Sequence, residues 1–253
     1  MVKLVKEKEY EIQYYDIDYS GRLLMSSLMR YLGDIATRQS EDIGIGIDYL
    51  KEKGIAWVIY KWSIKIDRCP KYGEKIKIKT IPYSFRKFYA YRTFEIIDDD
   101  GKTIGKADSI WFLIDIEKRK AIRIKEELYK AYGVEESNKD ILEIEKVNPP
   151  EHIHSDKSFD VRYSDIDTNS HVNNVRYLEW AIETVPLDIV LNCLLKSTNI
   201  TYQKETTYGE DVRVLTEINK EDKKYICVHK IIDKAKRELA LLETQWEIEN
   251  KCC

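Results

Sequence analysis

The residues of this chain best suited to chemistry stand in one run, Ser164-Asp165-Ile166-Asp167-Thr168-Asn169-Ser170-His171-Val172-Asn173-Asn174. A carboxylate, a carboxamide and an imidazole occupy alternate positions there: Asp167, Asn169 and His171. In an extended segment alternate side chains share a face, so this spacing predicts three polar groups directed into one pocket. A helix is expected to follow, because Val175, Leu178, Ile182 and Val185 recur at helical spacing and Pro186 ends the run. Its free N–H groups around Val172, Asn173 and Asn174 would meet a developing oxyanion. Capping is the competing reading, since Asn173 or Asn174 could serve as the N-cap alone. A cap uses one such residue, whereas this run spends Asp, Asn and His at alternating positions.

The chain supplies its own control. Tyr15-Asp16-Ile17-Asp18 recurs as Ser164-Asp165-Ile166-Asp167, and Lys71-Tyr72-Gly73-Glu74 recurs as Thr207-Tyr208-Gly209-Glu210. Ile97-Asp98 recurs as Ile232-Asp233, and Trp111 as Trp246. These matches come in the same order, so one supersecondary unit is duplicated and diverged. The first copy keeps Asp18 but carries Ser20 and Arg22 where the second has Asn169 and His171. A helix that only needs a cap would not require His171.

The elements that position these residues read alike in both copies. In the first, an opening strand over 8–14 leads to a helix marked by Leu24, Leu28, Tyr31, Leu32 and Ile35. Strands are expected over 56–67, 74–84, 88–98 and 103–116, with Asp98-Asp99-Asp100-Gly101 as a hairpin turn. In the second, the opening strand falls at 158–163 and the later ones at 196–202, 210–219, 225–233 and 238–249. The charged stretch 135–156, with Pro149-Pro150 and little core periodicity, reads as a linker between domains at 1–134 and 157–253. One helix with antiparallel strands predicts an α+β unit, a curved sheet wrapped around a helix, and two such units could pair their edge strands.

The span from Asp167 to Trp180, Asp-x-Asn-x-His-Val-Asn-Asn-x-x-Tyr-x-x-Trp, resembles the signature of the plant and bacterial acyl-acyl carrier protein thioesterases. That family is built from two tandem hot-dog domains, in agreement with the repeat. The resemblance places catalytic roles on Asp167, Asn169 and His171. A further family segment corresponds to Tyr202-Gln203-Lys204-Glu205-Thr206 and puts an acidic residue at Glu205. On composition alone Glu205 reads as an exposed charge beside Lys204; the resemblance gives it the role of general base on a water, with Asp167 orienting the network or sharing that role. The family's cysteine at the next position is Thr206 here, so a cysteine nucleophile is not expected. The resemblance also implies an acyl tunnel in the first domain, reached from the catalytic residues of the second, with Met25, Leu28, Met29, Leu32, Trp57 and Ile59 as candidate lining; each is equally credible as ordinary core. Acyl carrier protein is the implied partner, and the basic residues Lys118, Arg119, Lys120, Arg123 and Lys125 are candidate docking groups for that acidic protein.

Bulk properties narrow the rest. Net charge is −3 over 253 residues, which gives no global attraction to nucleic acid, and Arg86, Lys87 and Arg92 read as surface charge. The sequence holds no membrane-spanning apolar stretch and no secretory h-region near its start, so a cytoplasmic protein is expected. The five cysteines, Cys69, Cys193, Cys227, Cys252 and Cys253, show no metal-ligand spacing and fit a reducing compartment, with Cys252 and Cys253 frayed at the end. No cofactor or metal is expected: His152 and His154 read as solvated linker residues and His229 as a structural one. Acyl-coenzyme A hydrolysis and non-catalytic acyl sensing are the alternatives, and a homodimer is compatible with the sequence.

Overall fold

In the computed structural model, which describes residues 4–248, the chain divides into two compact units that meet in sequence at Ile144 and Glu145. In the first, strict alternation makes the strands. Lys75, Lys77 and Lys79 face out of β3 (Lys75–Arg86) while Ile76, Ile78 and Thr80 face in. β1 (Lys6–Glu11), β3, β4 (Tyr89–Asp98), β5 (Thr103–Asp115) and β2 (Ile55–Ile66) lie antiparallel in the order β1-β3-β4-β5-β2, with the short β6 (Lys120–Ala121) on β5. A bulge between Ile59 and Lys61 lets Trp57 and Ile59, and then Trp62 and Ile64, pair with the same alternating set of β5. Against β1 and β3 lies α1 (Met25–Asp42), which buries Met25, Leu28, Met29, Leu32 and Ile35.

The second unit repeats the plan. β8 (Cys193–Tyr202), β11 (Glu238–Ile248), β10 (Lys224–Asp233), β9 (Asp211–Glu221) and β7 (Ser155–Asp160) form an antiparallel sheet in that order. Its main helix is the three-turn α4 (Asn174–Ile182). Gly73 and Gly209, at the repeated Tyr-Gly-Glu, both adopt positive φ (77° and 82°) in the turn that feeds the third strand of their unit. Each unit is therefore α+β, as the repeat predicts, and the two are hot-dog folds in tandem, as the resemblance implies.

Several boundaries differ from the sequence reading. The opening strands stop early because Tyr14–Asp16 and Tyr163–Asp165 form 3-10 turns. The carboxylates of Asp16 and Asp165 close them by accepting the N–H groups of Gln13 (3.2 Å) and Arg162 (2.9 Å). The second main helix ends at Ile182, and a separate α5 (Leu187–Asn192) starts after Pro186. Two further short helices, α2 (Ile47–Glu52) and α3 (Glu126–Ala131), have no clear periodic signal. α3 helps cover an apolar cluster with Leu128, Tyr129, Phe85 and Leu113.

The stretch read as a linker is more attached than its composition suggests. Asn138 donates to the Tyr83 carbonyl (3.0 Å) and Ser84 to that of Asp140 (2.6 Å). Leu142 and Ile144 pack with Tyr91 and Ile110 on the outer face of the first sheet. Cys252 and Cys253 lie outside the described residues.

Candidate active site

Two loops of the second unit make the site. The first, between the 3-10 turn and α4, is folded back rather than extended. Ile166 bridges Val172, the Asp167 N–H donates to the His171 carbonyl (2.8 Å), and Ser170 takes a left-handed φ of 65°. The expectation of three side chains on one extended face is thus corrected. Asp167 builds the turn: its Oδ1 accepts the N–H of Asn169 (2.7 Å) and, more weakly, that of His171 (3.4 Å). Asn169 stands exposed on the tip.

The base of this loop is held by Asp165, which is fully buried. Burial pushes its carboxyl up, but Arg162, the Arg162 backbone N–H and Arg176 outweigh that and hold it below the usual carboxylate range. Arg162 reaches it at 2.9 Å and Arg176 at 3.2 Å.

The second loop, residues 203–210, joins β8 to β9. It is stitched to the first by the Val172 N–H on the Thr206 carbonyl (2.9 Å) and the Thr207 hydroxyl on the Ser170 carbonyl (2.9 Å). That registration brings His171 Nε2 to 3.2 Å from Glu205 Oε2, with both side chains partly open to solvent. Beneath them Tyr177 of α4 is buried. Burial raises its hydroxyl above the ordinary tyrosine value, a hydrogen bond from the Thr206 backbone opposes this, and the nearby Glu205 and Asp167 carboxylates add to it. Tyr202 packs edge-on to Tyr177 (5.5 Å) and donates to the Asn174 carbonyl (2.9 Å). Neither tyrosine was assigned a role from sequence. Either could have been found, because Tyr177 belongs to the Asn-Asn-x-x-Tyr run and Tyr202 opens the segment that ends in Glu205-Thr206.

The oxyanion donors need a second correction. The Val172 N–H is committed to Thr206, and the Asn173 N–H donates to the Asp165 carbonyl (2.8 Å). The Asn173 side chain caps α4 by accepting from Val175 (3.1 Å), which is the capping reading for that residue. Asn174, the first residue of α4, keeps the kind of N–H a helix leaves without an intrahelical partner.

The first unit holds the same scaffold with different side chains. Asp18 Oδ1 accepts from Ser20 (2.8 Å) and Arg22 (3.0 Å), and the Leu23 N–H donates to the Pro70 carbonyl (2.8 Å), as Val172 does to Thr206. Where the second unit has His171 and Glu205, the first has Arg22 and Cys69. Arg22 lies 3.4 Å from Asp18, and burial pushes the Cys69 thiol up to about 11. Burial likewise raises Cys193, and Cys227 to about 12; both are buried with Val185, Ile189 and Trp246. These are thiols at neutral pH, not nucleophilic thiolates.

The remaining candidates are dispersed. Met25, Leu28, Met29, Leu32 and Ile59 are buried in the first unit, and Trp57 packs against Phe85 and Tyr132. Lys118, Arg119, Lys120, Arg123 and Lys125 are all exposed around β6 and the start of α3, where Lys118 pairs with Asp115 (3.6 Å). His154 is exposed, as expected, and its Nδ1 accepts from the Ile218 N–H (3.2 Å). Among the described residues no cluster of His, Cys, Asp and Glu is arranged to hold a metal ion, and no helix is long and apolar enough to cross a membrane.

Comparison with known proteins gives the family and the fold. The family model for the acyl-ACP thioesterase N-terminal domain matches residues 3–132, and that for the C-terminal domain matches residues 149–248. The oleoyl-acyl carrier protein thioesterase of Coriandrum sativum, a chloroplastic protein, is 24% identical over 229 residues, covering 83% of this chain. The match spans only 62% of that relative's own length. A Lactobacillus plantarum protein provisionally designated an oleoyl thioesterase superposes with a TM-score of 0.89 at 25% identity, over 99% of this chain and 98% of its own. The 12:0-ACP thioesterase of Umbellularia californica gives 0.85 at 20% identity, over 97% and 94%, a likeness of fold.

Proposed function

The chain belongs to the acyl-ACP thioesterase family, and on that premise we propose that it hydrolyses fatty acyl-acyl carrier protein to free fatty acid and carrier thiol. The observation that carries this reading is the His171–Glu205 pair at 3.2 Å in the second unit, beside a first unit that keeps the same loops with Arg22 and Cys69 instead. Glu205 removes a proton from water, and the hydroxide oxygen bonds to the thioester carbon. His171 holds Glu205 in place through Nε2. The oxyanion that forms accepts from the Asn174 N–H and the Asn169 carboxamide. Collapse breaks the C–S bond, and the thiolate takes the proton from Glu205. Asp167 acts on this chemistry through the turn.

The acyl chain lodges in the interior of the first unit, with Met25, Leu28, Met29, Leu32, Trp57 and Ile59 as its walls. The exposed cluster Lys118, Arg119, Lys120, Arg123 and Lys125 steers the acidic carrier. A reducing cytoplasm is the assigned compartment, supported by the free thiols of Cys69, Cys193 and Cys227. The test is the initial rate of fatty acid release from a panel of acyl groups, each presented on carrier protein and on coenzyme A. Faster release from the carrier supports this function. Release from coenzyme A alone would make the chain an acyl-coenzyme A hydrolase, and binding without turnover would make it a sensor.

A further inference from the structure

The interior of the first unit contains a cation that its composition does not explain. Arg92 points inward from β4 and is only 8% exposed. Its Nη1 donates to Gln39 of α1 and to the Thr80 hydroxyl (3.1 Å). Among the described residues no carboxylate pairs with it, and no acceptor meets Nε or Nη2. Burial lowers it to about 10, with Tyr132 the one group that raises it, so it remains charged at neutral pH. A buried guanidinium met only by neutral acceptors is costly, and such charges are ordinarily paired.

The surroundings add donors rather than acceptors. Arg92 of β4, Ser109 of β5 and Trp62 of β2 lie side by side on one rung of the sheet. Trp62 is 1% exposed, and its indole N–H has no partner. The buried indole N–H of Trp57 is also unpartnered. The Tyr132 ring stands between, 6.0 Å from the Arg92 guanidinium and 6.2 Å from the Trp57 ring. Unused donors, one of them charged, set among Phe85, Phe94 and Ile59 call for an acceptor-only group on an aliphatic body.

We propose that the first unit binds an aliphatic carboxylate, with its head on Arg92 and the Trp62 indole and its chain along the apolar interior. Two sources supply such a ligand: the released fatty acid, or an acyl chain that ends in a second carboxylate. The proposal depends on the thioesterase reading only for that source, and its first test does not use hydrolysis.

Thermal melting and tryptophan fluorescence are followed with sodium dodecanoate and with dodecanol. Dodecanoate is expected to raise Tm and to bind about tenfold tighter than the alcohol. Arg92→Met, which replaces a costly buried charge by an apolar chain, is expected to melt no lower than the unmodified protein and to bind dodecanoate about tenfold more weakly. His171→Ala is expected to leave dodecanoate binding unchanged. Equal affinity for acid and alcohol would overturn the proposal, as would loss of binding on His171→Ala or undiminished binding by Arg92→Met. Should Arg92→Met not fold, the comparison of acid with alcohol on the unmodified chain decides alone. Kinetics then separate the sources. Inhibition of hydrolysis by added dodecanoate identifies the product, and preference for a dodecanedioic half-thioester over the dodecanoyl thioester identifies the substrate.

Discussion

Asp167 and Glu205 both lie close to His171, and their hydrogen bonds divide the work between them. Asp167 is tied to backbone N–H groups, as Asp18 is in a unit that lacks the histidine. Glu205 instead faces the imidazole. Asp167→Asn keeps the accepting oxygen, so its kcat should stay within about tenfold of that of the unmodified chain. Glu205→Gln removes the base and should lower kcat by about 10²–10⁴. If Asp167→Asn proves as inactive as Glu205→Gln, Asp167 is in the chemistry itself. Cys193→Ala and Cys227→Ala should retain most activity, because both thiols are buried and protonated; a folded but inactive variant would speak against water as the nucleophile. Much of this site was legible as residue types, since His171 and Glu205 both emerge from the run and the resemblance. What the residue types could not give was the fold of the turn. A backbone that doubles back through Ser170 changes which groups meet, and alternation carries no sign of it.

At the scale of elements, the second sheet buries His229 at the position where the first buries Phe94. His229 of β10 lies between Thr216 of β9 (2.9 Å) and Thr244 of β11 (3.0 Å), with Thr184 just beyond α4 also in reach (3.3 Å). Burial lowers its pKa to about 3. The folded protein therefore favours neutral His229, and this contribution is complete above the unfolded value near 6.5 and lost as pH falls toward 3. Between pH 6.5 and 5.0 it should cost about 2 kcal/mol of unfolding free energy. Urea melts at the two pH values would measure this, and His229→Phe, which supplies the residue found at Phe94 in the first sheet, should flatten the difference. An unchanged slope would mean that other groups set the acid sensitivity. Separately, Asn173→Ala should cost about 1 kcal/mol through loss of the α4 cap. The strands were legible because one face of each is apolar. The 3-10 turns, α2 and α3 were not, since hydrogen bonds and nonlocal packing fix them. Arg92 is the sharpest case: it reads as surface charge in sequence, and only pairing within the sheet turns it inward.

For the whole molecule, the proposed function gives the duplicated scaffold two uses. On that reading the second unit hydrolyses the thioester with His171 and Glu205, and the first takes the acyl chain. With a net charge of −3, attraction to an acidic carrier must come from local patches. Reversing Lys118, Lys120 and Lys125 to Glu should therefore raise KM for acyl-acyl carrier protein while leaving KM for a small acyl thioester unchanged. Equal effects on both would remove this surface from docking. The repeat itself was legible from self-comparison, whereas the inward polar groups of each unit were not, because matching positions diverged in kind.

The most direct test of the central claim is single-turnover release of dodecanoate from dodecanoyl-acyl carrier protein by the unmodified chain, His171→Ala and Glu205→Gln, all checked for equal melting temperatures. Release by the first is expected, with a loss of about 10²-fold or more in both variants. Undiminished release by either folded variant would contradict the claim.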